Sequence, residues 1–194
     1  MKLLTVFLLS IPACAQLVSV GVTGGLTLTN LAPANNESKR FLVGPSLEFR
    51  LPANFAIEID ALYQRTGNSA VFLYNGPDNA LQTNAIRYRN NVWTFPVLAK
   101  YYFGGTQKKL RPFVSSGWAI RHVSSEVTSR TSASPTTYRN NYGRPVDVGA
   151  VAAAGVRLQY RRLAVLPEFR YTRWGSGDNL QRRNDVAFLL GLRF

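Results

Sequence analysis

Residues 121–126 read Arg-His-Val-Ser-Ser-Glu and hold the only histidine of the 194-residue chain. In extended backbone, residues two apart share a face, so His122, Ser124 and Glu126 fall in one row. An imidazole there could polarise the Ser124 hydroxyl while Glu126 orients it, the set that nucleophilic acyl transfer needs. The competing reading is a polar strand end running into a loop, and we favour it, expecting no enzyme. No other stretch offers reactive groups. There is no phosphate-binding glycine loop and no nucleophile elbow, and one histidine with one cysteine, Cys14, gives no zinc ligand set. No cofactor or metal is expected.

The remaining chemistry is charge. Lys and Arg number 23 against 10 Asp and Glu, a net +13 with a sequence pI of about 10.5. In a cytosolic protein that balance would point to nucleic acid, but the N-terminus argues for export. Met1 to Ala15 has a basic start at Lys2, an apolar run from Leu3 to Ile11 and a small-residue exit at Ala13-Cys14-Ala15. The expectation is a secretory signal peptide over 1–15, cleaved to leave Gln16 first and no cysteine. The alternative keeps and lipidates Cys14 in an Ile11-Pro12-Ala13-Cys14 box, which Pro12 fits poorly. Residues 16–194 suffice for one domain, without a linker-like break. Nucleic acid is therefore not an expected partner; phosphate-bearing lipid, lipopolysaccharide or cell-wall carboxylates are.

These charges need elements to position them, and eight segments alternate with period two. The clearest sets Phe41, Val43, Leu47, Phe49 and Leu51 against Arg40, Gly44, Ser46, Glu48 and Arg50. Others set Phe55, Ile57, Ile59, Ala61 and Tyr63 against Glu58, Asp60 and Gln64, and Trp93, Phe95, Val97, Ala99, Tyr101 and Phe103 against Thr94 and Lys100. The last sets Val186, Phe188, Leu190, Leu192 and Phe194 against Ala187, Leu189, Gly191 and Arg193. Each segment is roughly ten residues, the length of a tilted membrane-crossing strand. Connections alternate long and short, with short turns at 52–54, 104–109 and 160–162 and two long loops at 65–91 and 123–145. That rhythm and the even strand number predict a closed, antiparallel, eight-stranded up-and-down transmembrane barrel with both termini on the periplasmic side. A soluble sandwich, apolar face inward, stays open on pattern alone.

In such a barrel Arg40, Glu48, Arg50, Glu58, Asp60, Lys100, Arg111, Arg121, Asp147, Arg157, Glu168, Arg170 and Arg193 point inward and should interlock as ion pairs in a plugged lumen. A narrow anion-preferring path is the alternative, since cations outnumber carboxylates. Aromatics gather at the strand ends: Tyr101, Phe103, Tyr160, Phe55 and Phe194 at the inner rim, Trp93, Tyr63, Phe41 and Trp174 at the outer. Outside lie Arg87, Arg89, Arg130, Arg139, Arg144, Arg173, Arg182 and Arg183, whose guanidinium forks match the phosphates of lipopolysaccharide. A merely solvated rim explains them equally well. Pro45, Pro96, Pro112 and Pro167 interrupt the strands and call for bulges or gaps, near the rims for Pro45 and Pro112.

The stretches Phe95 to Gly104, Arg111 to Gly117, Asp147 to Leu158 and Pro167 to Leu180, with the terminal Phe194, resemble the bacterial outer-membrane beta-barrel domain family, of the kind seen in the eight-stranded domain of outer membrane protein A. The resemblance covers the whole mature chain. It implies residence in the bacterial outer membrane and a terminal aromatic, Phe194, read by the barrel-insertion machinery. The larger relatives carry a peptidoglycan-binding domain after the barrel; none is expected here, and so no cell-wall tether. The His122-x-Ser124 spacing resembles that of outer-membrane lipid A deacylases, but Ser125 stands where that family has asparagine.

Overall fold

The computed structural model describes residues 17–28, 39–75, 81–105, 108–131, 135–139, 146–175 and 183–194. Within them run ten strands: β1 Val18–Thr27, β2 Phe41–Arg50, β3 Phe55–Asp60, β4 Leu62–Asn75, β5 Leu81–Tyr102, β6 Leu110–Thr131, β7 Pro135–Arg139, β8 Val146–Tyr160, β9 Leu163–Trp174 and β10 Asn184–Arg193. All pairings are antiparallel, and the circuit closes where β1 meets β10 and β5 meets β6. Strands β3 and β4 form one crossing and β7 hangs on the outer end of β6, so the barrel has eight crossings. Met1–Ala15, where a signal peptide is expected, lies outside the described residues, as do Arg144 and Arg182.

The burial pattern is inside-out. Val43, Phe95, Val97 and Val148 are exposed on the outer face while Glu58, Lys100, Arg170 and Arg193 are buried. A soluble sandwich would show the reverse, so the two-residue alternation encodes lipid outside and ions within. Slipping any strand by one residue would present its charges to lipid, which fixes the register.

Prolines account for the irregularities of this cylinder. The third crossing breaks at Ala61, where the neighbour on one side is Pro45 and, one residue earlier, Pro96 stands across from Asp60 on the other. Proline has no N–H to give, yet the register continues unchanged from Ser46↔Asp60 to Val43↔Tyr63. The Ala61 amide still donates to the Pro45 carbonyl at 3.0 Å. Ala61's own carbonyl leans over Gly44, where a Cβ would stand 1.8 Å from it, so only glycine fits. A second gap opens where the β8–β9 ladder passes over Val156 and Arg157, beside Pro167, with Pro112 opposite Val156 on the other side. Each pair of prolines thus flanks a single strand. Pro45 is mid-strand, not near a rim, because the break it requires is shared with Pro96.

Two expectations need correcting. The supposed loops at 65–91 and 123–145 are largely strand: β4 and β5 stay paired from Leu62↔Thr94 out to Asn75↔Leu81, and β6 follows β5 to Thr131. Apolar alternation stops where the membrane stops, but the hydrogen-bond ladder does not. Trp174 is not an outer-girdle ring; it is buried in the lumen, since it shares parity with Arg170 and Thr172. The other rings pair across strands as a girdle does, Tyr63 with Trp93 at 5.2 Å outside and Phe55 with Tyr101 at 5.0 Å inside.

Candidate functional site: a charged lumen and an outer sheet

Three levels of charge occupy the barrel interior. At the waist, Glu58 and Asp60 of β3, Lys100 of β5, Glu168 and Arg170 of β9 and Arg193 of β10 converge on the axis. Lys100 Nζ donates to Glu58 Oε2 at 2.5 Å and lies 3.7 Å from Glu168. Arg170 spends its whole fork: Nε on Glu168 at 2.7 Å, Nη1 on Asp60 at 2.9 Å and Nη2 on Glu58 at 3.0 Å. Arg193 donates to Glu58 Oε2 at 2.8 Å and to the Thr23 hydroxyl at 3.3 Å. The Ser46 hydroxyl donates to Asp60. Three cations meet three carboxylates, so the cluster is neutral and ties four strands together. Buried ions cost several kcal/mol each unless matched this closely.

Toward the short turns, Glu48 accepts from Arg157 Nη1 at 2.8 Å and from the Tyr102 hydroxyl at 2.6 Å. Arg50 reaches it only loosely, at 3.6 Å, and its side chain is 44 % exposed. Arg50 is therefore a mouth residue, not a member of the buried network, because it ends β2. Arg40, at the other end of the same strand, is likewise exposed. Arg111 sits half-buried in the mouth, its Nη2 on Asn54 Oδ1 at 2.9 Å and its guanidinium 4.8 Å from the centre of the Tyr102 ring. Toward the outside, Arg121 pairs with Asp147 at 2.9 Å and lies 4.1 Å over the Trp174 ring, whose Nε1 donates to Asp185 at 2.7 Å.

Between the waist and the outer level is an apolar layer: Leu98, Ala119, Val151 and Trp174 in one cluster, Leu42, Leu62, Ala187 and Leu189 in another. Tyr102, Trp174 and Asp185 had no place among the expected lumen residues. Strict parity would have found all three, since each stands an even number of positions from a lumen residue on its own strand.

The other candidate site is the outward face beyond the outer girdle. His122 is exposed, and Ser124 and Glu126 are half-buried on that face. Among the described residues no hydrogen bond joins the three. Arg87 and Arg89 of β5 share the face and, with Ser69, Val71, Ala85, Glu126 and Thr128, line a shallow cavity of about 490 Å³. Arg173 and Arg183 are exposed at the outer ends of β9 and β10. Arg130 and Arg139 fall on β6 and β7. Among the described residues no cluster of three His, Cys, Asp or Glu side chains could hold a metal ion.

Residues 14–175 match the family model of the outer membrane protein beta-barrel domain. The chain belongs to that family. It is a protein of the bacterial outer membrane, which the lipid-facing band and the matched lumen already require. No curated relative matches the sequence. Among solved structures, it is similar to the N-terminal beta-barrel domain of Pseudomonas aeruginosa OprF at 17% identity, covering 91% of this chain and 95% of that one with a TM-score of 0.47. Neisserial surface protein A matches at 16% identity over 91% and 94% of the two chains, TM-score 0.49. Ail of Yersinia pestis, in complex with the heparin analogue sucrose octasulfate, matches at 8% identity over 91% and 96%, TM-score 0.49.

Proposed function

We propose that the barrel is a non-conducting anchor and that the protein works outside the cell, as an interaction module built from the extended β4–β5–β6 sheet and the arginine rim. The observation that carries this reading is the filled lumen. Lys100 has no exposed surface, its cluster is neutral, and the apolar layer around Leu98 and Leu189 lies across the path. A narrow anion path would need a file of unmatched cations wide enough for a solvated ion, whereas the cations of the waist are each held by carboxylates.

The outer sheet supplies what the lumen lacks, an accessible surface. Val71, Phe72 and Leu73 are 66 %, 54 % and 65 % exposed, consecutive on a strand that rises beyond the Tyr63–Trp93 girdle. Apolar residues in water at the edge of a sheet mark an interaction site. Below them Arg87, Arg89, Arg173 and Arg183 ring the outer-leaflet boundary, where lipopolysaccharide phosphates lie. Phe194 donates its amide to the Val20 carbonyl at 2.9 Å with its ring outside, which suits both an inner-girdle ring and an end read by the insertion machinery.

Planar-bilayer recording of the purified protein tests the anchor reading: a flat baseline is expected, and discrete conductance steps with anion preference would overturn it. For the hydrolase alternative, lipid A from cells carrying His122→Ala is expected to match that from cells with the unaltered protein.

A further inference from the structure

The waist of the lumen is neutral, but the end facing the periplasm is not. Arg50, Arg111 and Arg157 point into the mouth, and the two turns beside it carry Lys108-Lys109 and Arg161-Arg162, all four exposed. Among the described residues Glu48 is the one acidic side chain at that end, and Arg157 and Tyr102 already occupy its oxygens. Arg157 is committed as well, with Nε and Nη2 on Gln159. Arg50 and Arg111 are not. Arg111 is held in place by Asn54 and by stacking on Tyr102, yet its shielded Nε has no hydrogen-bond partner. A half-exposed guanidinium fixed in orientation, with no carboxylate within salt-bridge reach among the described residues, is shaped for one.

We propose that the periplasmic mouth receives an extended, acidic segment of a periplasmic protein. The geometry selects this partner over its rivals. Phospholipid headgroups meet the outward side, where Phe55, Phe103, Leu110 and Tyr160 are exposed; they cannot reach Arg50 and Arg111, which face the barrel axis behind the strand wall. A small anion would satisfy one fork and leave the turns unmatched. A chain with several carboxylates can place one on Arg111, one on Arg50 and others on the lysine and arginine turns. The short turns keep this surface flat against the membrane, so the partner must come up to it.

The test uses the full protein in nanodiscs of zwitterionic lipid and a fluorescent oligo-glutamate peptide, read by anisotropy. Binding is expected to weaken steeply with added salt. Arg50→Gln with Arg111→Gln should lower affinity by about tenfold or more, the loss of two charge-assisted contacts. Neutralising all four turn cations to Gln should weaken binding and flatten its salt dependence, while Arg40→Gln, exposed at the opposite end, should change nothing. Should the mouth variant fail to fold, the turn variant carries the test alone, because its side chains are at the surface. In the folded protein the Arg111 Nε–H resonance should shift on adding peptide. Affinity indifferent to both inner variants overturns the proposal. So does co-sedimentation with isolated cell-wall sacculi that depends on these residues while the peptide does not bind, since the ligand would then be the wall.

Discussion

The waist of the barrel and the sheet that rises above it use one backbone pattern under opposite conditions. At the waist the ladder closes on itself, lipid surrounds it, and each inward charge finds its opposite within salt-bridge reach, as Arg170 does on Glu58, Asp60 and Glu168. Above the outer girdle β4, β5 and β6 continue with β7, but among the described residues no pairing joins the outer part of β4 back to β7. There Val71 and Leu73 face water on the side where, lower down, Ile57 and Ile59 face lipid. Closure removes sheet edges and makes parity an energetic necessity. Where closure ends, both constraints relax and the apolar side chains are left facing water.

The strongest way to break this contrast is to unbalance the waist. Glu58 contacts Lys100, Arg170 and Arg193. Glu58→Leu takes a shared carboxylate from three buried cations, and removing one partner of such a pair costs about 3–5 kcal/mol. Urea unfolding in lipid vesicles should show that loss, with the heat-modifiable band on unboiled gels weakened. Glu126→Leu, on the outer sheet, should shift stability by less than about 0.5 kcal/mol. Equal losses at the two sites would erase the distinction.

A charge placed on the lipid side probes the same boundary from without. Val97 is exposed midway along the membrane part of β5. Val97→Arg should cost roughly 2–4 kcal/mol, while Val71→Arg, in water, should cost little. Depth-dependent loss along the odd residues of β5 would then mark where the bilayer ends, expected near Trp93.

Packing gives a smaller effect. At Gly155 a Cβ would come within 2.6 Å of Phe113 Cζ and 2.4 Å of the Pro167 carbonyl. Phe113 in turn lies 4.1 Å beneath the Lys100 ammonium. Gly155→Val should therefore cost about 1–3 kcal/mol as an overpacking defect, with weakened order around Lys100 visible by NMR.

Much of the lumen is legible in the sequence because one rule governs it. Alternation located Glu48, Glu58, Asp60, Lys100, Arg157, Glu168, Arg170 and Arg193 on one side of their strands, and the structure buries all eight. What escaped did so for physical reasons. Residue type sends Trp174 to the girdle, whereas parity puts it beside Arg121. The proline positions follow from Pro45 and Pro96 flanking the same break, a relation between strands that no single segment carries. The outer sheet was hidden because its strands are polar on one face and mixed on the other, so nothing in their pattern distinguishes a ladder from a loop. Exposure at the mouth, which separates Arg50 from Glu48 two residues away, depends on where a strand stops, and alternation does not encode that.

The smallest change in stability should accompany the clearest change in behaviour. Val71→Ser with Leu73→Ser removes two apolar side chains that are already in water, so the unfolding midpoint should move by no more than about 0.5 kcal/mol. Those side chains nevertheless hold most of the apolar surface on the β4 edge, and an exposed apolar edge recruits other strands. Binding of a hydrophobic dye to the protein in nanodiscs should fall sharply, and self-association at high concentration with it. Val97→Ser, an equivalent loss from the lipid-covered band, should leave dye binding unchanged because lipid already covers that site. If the double variant bound dye as the unaltered protein does, the apolar edge would have to be covered by another part of the chain, and the interaction surface would have to be sought lower, at the arginine rim.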